Sequence, residues 1–330
     1  MENSTAGSRA WGAIRRLAPI ALIALSFVLL RKQLPDAARA LVHARPIALL
    51  CVPLFFVWNE LATIGWRALL RASGVTVAPL RTLVRLRIEA QAVNQIVPAA
   101  GLAGEGLRTV RAAQPGELAA ASFATLLDNV AGTLSGLVFA ACALGLRFQT
   151  RTGAESELKT LTLTTVGALA LLVVAVALPF QLGHKLVPRL APGGRARRLL
   201  EPFADRRLSI RRALRDAVAL RFCERILSAA EVYVFFLALD APVSVADAAL
   251  ISAVFIVVSF TVFFLPGQLG AAEAAVAMTS TLIGVPATLG LSVALLRRAR
   301  QLGVCVTGLV SVLVAKQRGP LLRTPVEKAQ

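Results

Sequence analysis

Long uncharged runs recur along the chain, separated by short stretches that collect arginine and lysine. Residues 161–182 (LTLTTVGALALLVVAVALPFQL) run through 22 positions without a charge, and a bilayer core takes roughly 20 residues of helix to cross. The same reading predicts spans over 46–66, 118–146, 158–182 and 216–239, a shorter one over 17–30 between Arg15-Arg16 and Arg31-Lys32, and a last one after Gly284. Residues 17–30 also have the length of a signal-peptide core, with Ala38-Arg39-Ala40 beyond it. The many later spans make a first transmembrane helix the better reading. The pattern predicts an all-α, polytopic integral membrane protein with six full spans.

Two segments break this rhythm. Residues 83–111 open with Arg85, Arg87 and Glu89 and centre on Asn94-Gln95-Ile96-Val97-Pro98-Ala99-Ala100-Gly101-Leu102-Ala103-Gly104-Glu105-Gly106, where proline and three glycines stop a helix. The second has 246–265, then Pro266-Gly267-Gln268-Leu269-Gly270-Ala271-Ala272-Glu273, then 274–283. Broken backbone at membrane depth is tolerated only inside protein or beside a water-filled cavity. Each segment therefore predicts a re-entrant pair of half-helices. In both, a Glu follows the Pro by seven residues (Pro98 to Glu105, Pro266 to Glu273), which indicates an internal repeat. With both termini inside, segments 1–16, 66–87, 108–116, 184–215 and 316–330 hold 24 Lys and Arg, against 7 in the outside segments. That bias sets the orientation. The first break then enters from inside and the second from outside, an inverted repeat of the kind that places a substrate near the midplane.

Composition agrees with the pattern. Of the 330 residues, 57% are apolar and only 16% charged, where soluble domains carry about 25%; mean hydropathy is +0.71. The longest stretch outside the apolar runs, 184–215, is too short to fold alone, so residues 1–330 read as one transmembrane domain. The formal charge of +18 suggests a nucleic-acid partner, but the basic residues flank spans, where anionic phospholipid headgroups at the cytoplasmic face account for them. No nucleic acid is expected. Cys51, Cys142, Cys223 and Cys305 stand apart, none at metal-ligand spacing, and read as small buried apolar residues. No metal, cofactor or catalytic residue is expected, and without GxxxxGK[ST] neither is direct use of ATP.

Charges at membrane depth cost about 2.5–3.5 kcal/mol each on insertion scales, so they should be paired or functional. Asn59, Glu60 and Thr63 lie close on one helical face. Arg221, Glu224, Arg225, Ser228 and Glu231 share another, which reads as a self-compensating stripe. Arg297, Arg298, Arg300 and Gln301 share a helix with no acid. Their partners must come from Glu105, Asp128, Glu273 or a lipid phosphate. Half-helix N-termini after Gly101 and Gly267 would aim partial positive charge at an anionic headgroup; in the other reading the small residues there only let the half-helices pack closely, with Glu105 and Glu273 as their caps. The candidate substrate-binding set is Asn94, Pro98, Gly101, Gly104, Glu105, Arg108, Asp128, Pro266, Gly267, Gly270, Glu273, Arg297 and Arg298.

Asn94-Gln-Ile-Val-Pro98, the turn carrying Glu105 and Arg108, Leu265-Pro-Gly-Gln-Leu-Gly-Ala-Ala-Glu273, and Gly284-Val-Pro followed by Leu295-Leu-Arg-Arg298 resemble the lysylphosphatidylglycerol synthase transmembrane, or flippase-like, family. The resemblance runs over residues 15–315. Glu231-Val-Tyr, Ala241-Pro-Val-Ser244, Phe264-Leu-Pro-Gly267 and Leu296-Arg-Arg-Ala-Arg300 are similar to its hopanoid-associated branch. It implies a lipid-handling domain of a bacterial inner membrane that moves a polar-headgroup or hopanoid-type lipid between leaflets. The soluble domain that transfers aminoacyl groups has no counterpart here, so lysyl transfer does not carry over. Asp128-Asn129 departs from the Arg-containing stretch of many relatives. Two other readings stand beside translocation: an embedded transferase of polyprenyl or hopanoid lipid synthesis with Glu105 or Asp128 as base, and a scaffold partnering lipid-biosynthesis enzymes.

Overall fold

The computed structural model describes residues 34–96, 102–149, 206–241, 243–261 and 270–317, and the regular elements among them are all helical. In chain order they are α1 (Leu34–Val42), a 3-10 turn (Pro46–Leu50), α2 (Cys51–Ala72), α3 (Leu80–Ile96), α4 (Leu102–Ala112), α5 (Leu118–Gln149), α6 (Arg207–Ala238), α7 (Val245–Thr261), α8 (Ala271–Leu282) and α9 (Ala287–Gln317). Two stretches, Pro46–Ala72 and Leu118–Arg147, are long and apolar enough to cross a membrane. Helices α6 and α9 are as long, at 32 and 31 residues, but carry charge in their middles. The expected spans 17–30 and 158–182 lie outside the described residues, as do Pro98, Gly101, Pro266 and Gly267.

Both expected breaks resolve into paired helices. Helix α3 ends at Ile96 and packs against α4, which begins at Leu102; α7 ends at Thr261 and packs against α8, which begins at Ala271. Close approach of α3 and α4 requires Gly104. A Cβ there would stand 2.1 Å from the Ala90 carbonyl oxygen. One expected loop is instead partly helical: α1 forms where sequence suggested only a connection, with Asp36 in its first turn paired to Arg39 at 2.5 Å. A carboxylate at the start and a cation near the end suit the helix dipole.

The loops meet in two groups, at opposite ends of the bundle. At one, the Arg45 amide donates to Ala238 O (2.8 Å), its guanidinium pairs with Asp240, and Arg147 pairs with Asp247 at 3.0 Å. At the other, Glu117 accepts from the amide and hydroxyl of Thr76 at 3.0 and 2.6 Å. Burial alone would push the Glu117 carboxyl up, but the bonds from Thr76 and from the Gln114 amide hold it below the usual glutamate range. This clip is complete above that range and is lost as pH falls through the lowered value. The first group joins loops assigned to the outside by charge bias, the second loops assigned to the inside.

Two apolar cores flank the middle. One packs Trp66, Leu69 and Leu70 of α2 against Leu83 of α3, Leu127 of α5 and Ala217 of α6. The other packs Phe235 and Phe236 of α6 against Ile251 of α7, Val276 of α8 and Val293 of α9. Helix α6 contributes to both and carries its charged residues between them. Cys142 and Cys223 are exposed on the bundle's outside rather than buried, because an outer face turned to lipid accepts a small apolar side chain as well as a core does.

Gly104→Ala is expected to destabilise the protein by about 1–3 kcal/mol through overpacking, read as a lower thermal midpoint in detergent. In a cysteine-free background, a cysteine at Ala241 should label from outside the cell and one at Gln114 only after permeabilisation; labelling of both from the same side would contradict the orientation.

Candidate functional site

Asp128 of α5 is fully buried and gathers three guanidinium groups from three other helices. Arg87 of α3 donates to it at 3.2 Å, Arg108 of α4 at 2.8 Å, and Arg221 of α6 through two nitrogens at 2.8 and 3.2 Å. Each arginine has a second anchor. Arg87 reaches Ala62 O at 3.4 Å, Arg221 donates to Glu224 at 2.8 Å, and Arg108 donates to Glu105 at 2.6 Å while lying 4.6 Å over the Trp66 ring. Nearby, Glu89, also fully buried, pairs with Arg111 of α4 and accepts from Ser311 of α9 at 2.6 Å. These contacts tie the first broken pair to α5, α6 and α9.

Beside this hub a polar chamber of about 260 Å³ opens between α2, α3, α6 and α9. Its walls are Phe55 and Trp58; Gln91, Asn94 and Gln95; Glu224, Arg225 and Ser228; and Arg297, Arg300, Gln301, Val304 and Cys305. A second cavity of about 300 Å³, walled by Val52, Phe56, Ile88, Gly303 and Thr307, shares Phe55, Arg300 and Val304 with it. The Arg300 guanidinium is 5.0 Å from the centre of the Phe55 ring and pairs with Glu231 of α6.

The sequence-derived candidates separate into three places. Glu105, Arg108 and Asp128 belong to the hub. Asn94 and Arg297 line the chamber. Gly270, Glu273 and Arg298 form a third group, in which Glu273 accepts from the Gly270 amide at 2.9 Å and from Arg298 at 2.6 and 2.9 Å. Gly270 holds φ at 81°, a conformation that glycine adopts without steric cost, and so starts α8.

Several expectations are corrected. Glu105 turns to Arg108 instead of capping its half-helix; Asn94 caps it, accepting from the Gly104 amide at 2.7 Å, because the amide side chain reaches across the break. Glu105 is therefore no partner of Arg297 or Arg298. Of that adjacent pair, only Arg298 meets Glu273; Arg297 stacks on Phe255 at 4.1 Å. The α6 stripe is self-compensating only in part: Glu224 pairs with Arg221 and Arg225 within it, while Arg221 also reaches Asp128 of α5 and Glu231 reaches Arg300 of α9. Asn59 and Thr63 are buried while Glu60 is exposed, the 100° turn per residue carrying it off their face.

Arg87, Arg221, Glu224, Arg225, Glu231 and Arg300 were absent from the candidate set. The polar face of 221–231 carried the signal for four of them. Gln91, Asn94 and Gln95, spaced by three and four, mark a polar face of α3 that points into the chamber. Among the described residues, no cluster of His, Cys, Asp and Glu could hold a metal ion.

A family model described as Lysylphosphatidylglycerol synthase TM region matches residues 16–308. No curated protein and no solved structure matches the chain.

Asp128→Asn leaves three buried guanidinium groups without their carboxylate, and stranding a buried charge costs about 3–5 kcal/mol. Membrane abundance and thermal midpoint should both fall sharply. Glu273→Gln and Arg298→Gln should each lower abundance, and the double variant should recover it, as measured by fluorescence-detected gel filtration.

Proposed function

Since the chain belongs to the lysylphosphatidylglycerol synthase transmembrane-region family, whose membrane domains relate to lipid metabolism or transport, we propose that it is a lipid translocase of a bacterial inner membrane. The observation that carries this reading is the amphipathic pair of cavities. A polar chamber of about 260 Å³ adjoins an apolar one of about 300 Å³ through Phe55, Arg300 and Val304. A molecule filling both needs a polar head and a hydrocarbon body, as a phospholipid or a hopanoid-type lipid has. Pockets of a few hundred Å³ are ordinary ligand sites, and helices broken in mid-bundle commonly border the substrate path of transporters. The two broken pairs, α3 with α4 and α7 with α8, both adjoin α9, whose residues wall both cavities. In this reading the termini are cytoplasmic, and the lipid passes head-first through the chamber with its tail in the apolar cavity.

The test is leaflet-resolved transport of a fluorescent phospholipid in proteoliposomes, with a membrane-impermeant quencher added outside. The protein should bring the inner-leaflet pool to the quencher faster than empty liposomes do. Val304→Trp, which fills the junction of the cavities, should slow transport at least tenfold while leaving protein abundance near parental. A rate equal to that of empty liposomes would refute translocation, and a chemically altered lipid would make the protein a transferase.

A further inference from the structure

Helix α2 belongs to the apolar span Pro46–Ala72, and Glu60 stands near the middle of that span. The helix packs on α3, α5 and α6, which buries Asn59 and Thr63 and leaves Phe56, Val57, Glu60 and Ile64 exposed on the outside of the bundle. Among the described residues Glu60 makes no hydrogen bond and no ion pair. An ionisable side chain at membrane depth is costly, and one that persists there normally has a partner of opposite charge. We infer that the outer face of α2 is a docking surface for a transmembrane helix of another polypeptide, one that sets a lysine or arginine against Glu60.

This chain does not supply that cation. The apolar runs 17–30 and 161–182, expected spans outside the described residues, contain no Lys, Arg or His, so either of them laid on α2 would bring no charge to the carboxylate. A second copy fails for a different reason. Every exposed arginine among the described residues lies in 31–45, 66–87 or 184–215, the segments that flank the spans. The arginines at mid-bundle are turned inward, Arg225, Arg297 and Arg300 to the chamber and Arg298 to Glu273. Two copies related by a twofold axis along the membrane normal would instead bring Glu60 level with Glu60, like charge at one depth. Lipid headgroups, a further source of cationic groups, lie beyond a hydrocarbon core of about 30 Å, well away from its middle.

The same face carries a second unmatched charge. Arg67 follows Glu60 by seven residues, within about 20° of two full turns and about 10.5 Å along the axis, too far for the two to pair. Its Nε is buried without a hydrogen-bond partner, and it makes no ion pair among the described residues. Apolar contact alone drives helices together only weakly in lipid, where polar contacts between them add both attraction and register. Phe56, Val57 and Ile64 supply the apolar contact here, and Glu60 and Arg67 supply a register of two opposite charges one heptad apart. The helix that complements this face has its cation at mid-depth and an Asp or Glu seven residues from it, facing Arg67.

The full chain with a photo-crosslinking amino acid in place of Val57 can be irradiated in the membranes of the cells that make it, and the adducts sized and sequenced by mass spectrometry. An adduct to a different polypeptide is expected, its contact lying in a transmembrane segment with Lys or Arg at the centre. Glu60→Gln should lower the yield of that adduct about fivefold or more, the loss expected for a polar contact between helices in lipid. The thermal midpoint of the purified protein should stay unchanged in the same variant, since Glu60 holds nothing within the chain. Glu60→Lys alone should also lose the adduct, and Glu60→Lys together with Glu in place of the partner's cation should restore it. An adduct between two copies, an adduct within the chain to residues 161–182, or a partner segment without a cation at mid-depth would each overturn the inference. So would the absence of any adduct, an adduct indifferent to Glu60→Gln, or a lower midpoint on Glu60→Gln, which would give Glu60 a partner inside the bundle. The readout involves no lipid movement, so these outcomes leave the translocase reading to its own test.

Discussion

A carboxylate surrounded by three guanidinium groups and shut off from water cannot give up its charge without disrupting the helices that supply them. Asp128 is that carboxylate. Its attraction offsets the desolvation of Arg87, Arg108 and Arg221, and their hydrogen bonds fill its lone pairs, which is the condition under which buried ion clusters are tolerated. The position of α3, α4, α5 and α6 in the first half of the bundle follows from it. Sliding any one of them by a helical turn, about 5.4 Å, would break the cluster.

The second half is assembled differently. Phe235, Phe236, Ile251, Val276 and Val293 form an apolar core there, and among the described residues its ionic contacts are single pairs such as Arg298 with Glu273. Dispersion between side chains is non-directional and tolerates small shifts, whereas the Asp128 cluster does not. The chamber sits where the two kinds of packing meet, which is why its walls mix aromatic rings with charges. That seam is also where Arg297 lies over the Phe255 ring, its Nε and Nη1 in no hydrogen bond among the described residues.

The architecture was legible where it depends on local composition. Uncharged runs and glycine-proline clusters are properties of neighbouring residues, so the helices Cys51–Ala72 and Leu118–Gln149 and the breaks after Ile96 and Thr261 follow from them. The hub was not, because its members lie 20, 41 and 93 residues from Asp128, and no periodicity links them. Nor could sequence distinguish Arg297 from Arg298: adjacent residues differ only by a turn of 100° around the helix, and which side faces Glu273 is decided by how α9 packs. The cap on α4 was misassigned to Glu105 because sequence cannot show that α3 brings Asn94 across the break.

Glu273 divides its two oxygens between tasks that are usually separate. Oε2 takes the Gly270 amide at the start of α8, and Oε1 takes the guanidinium of Arg298 in the middle of α9. One rigid carboxylate plane thus joins the first turn of one helix to the flank of another. Rotating α9 by even part of a turn would drag that plane with it, loosening the start of α8 at the same moment that the wall carrying Arg297, Arg300 and Val304 changes its facing. The side chain therefore acts as a crank, converting rotation about one axis into the fastening or release of a second helix, with no intermediary between them.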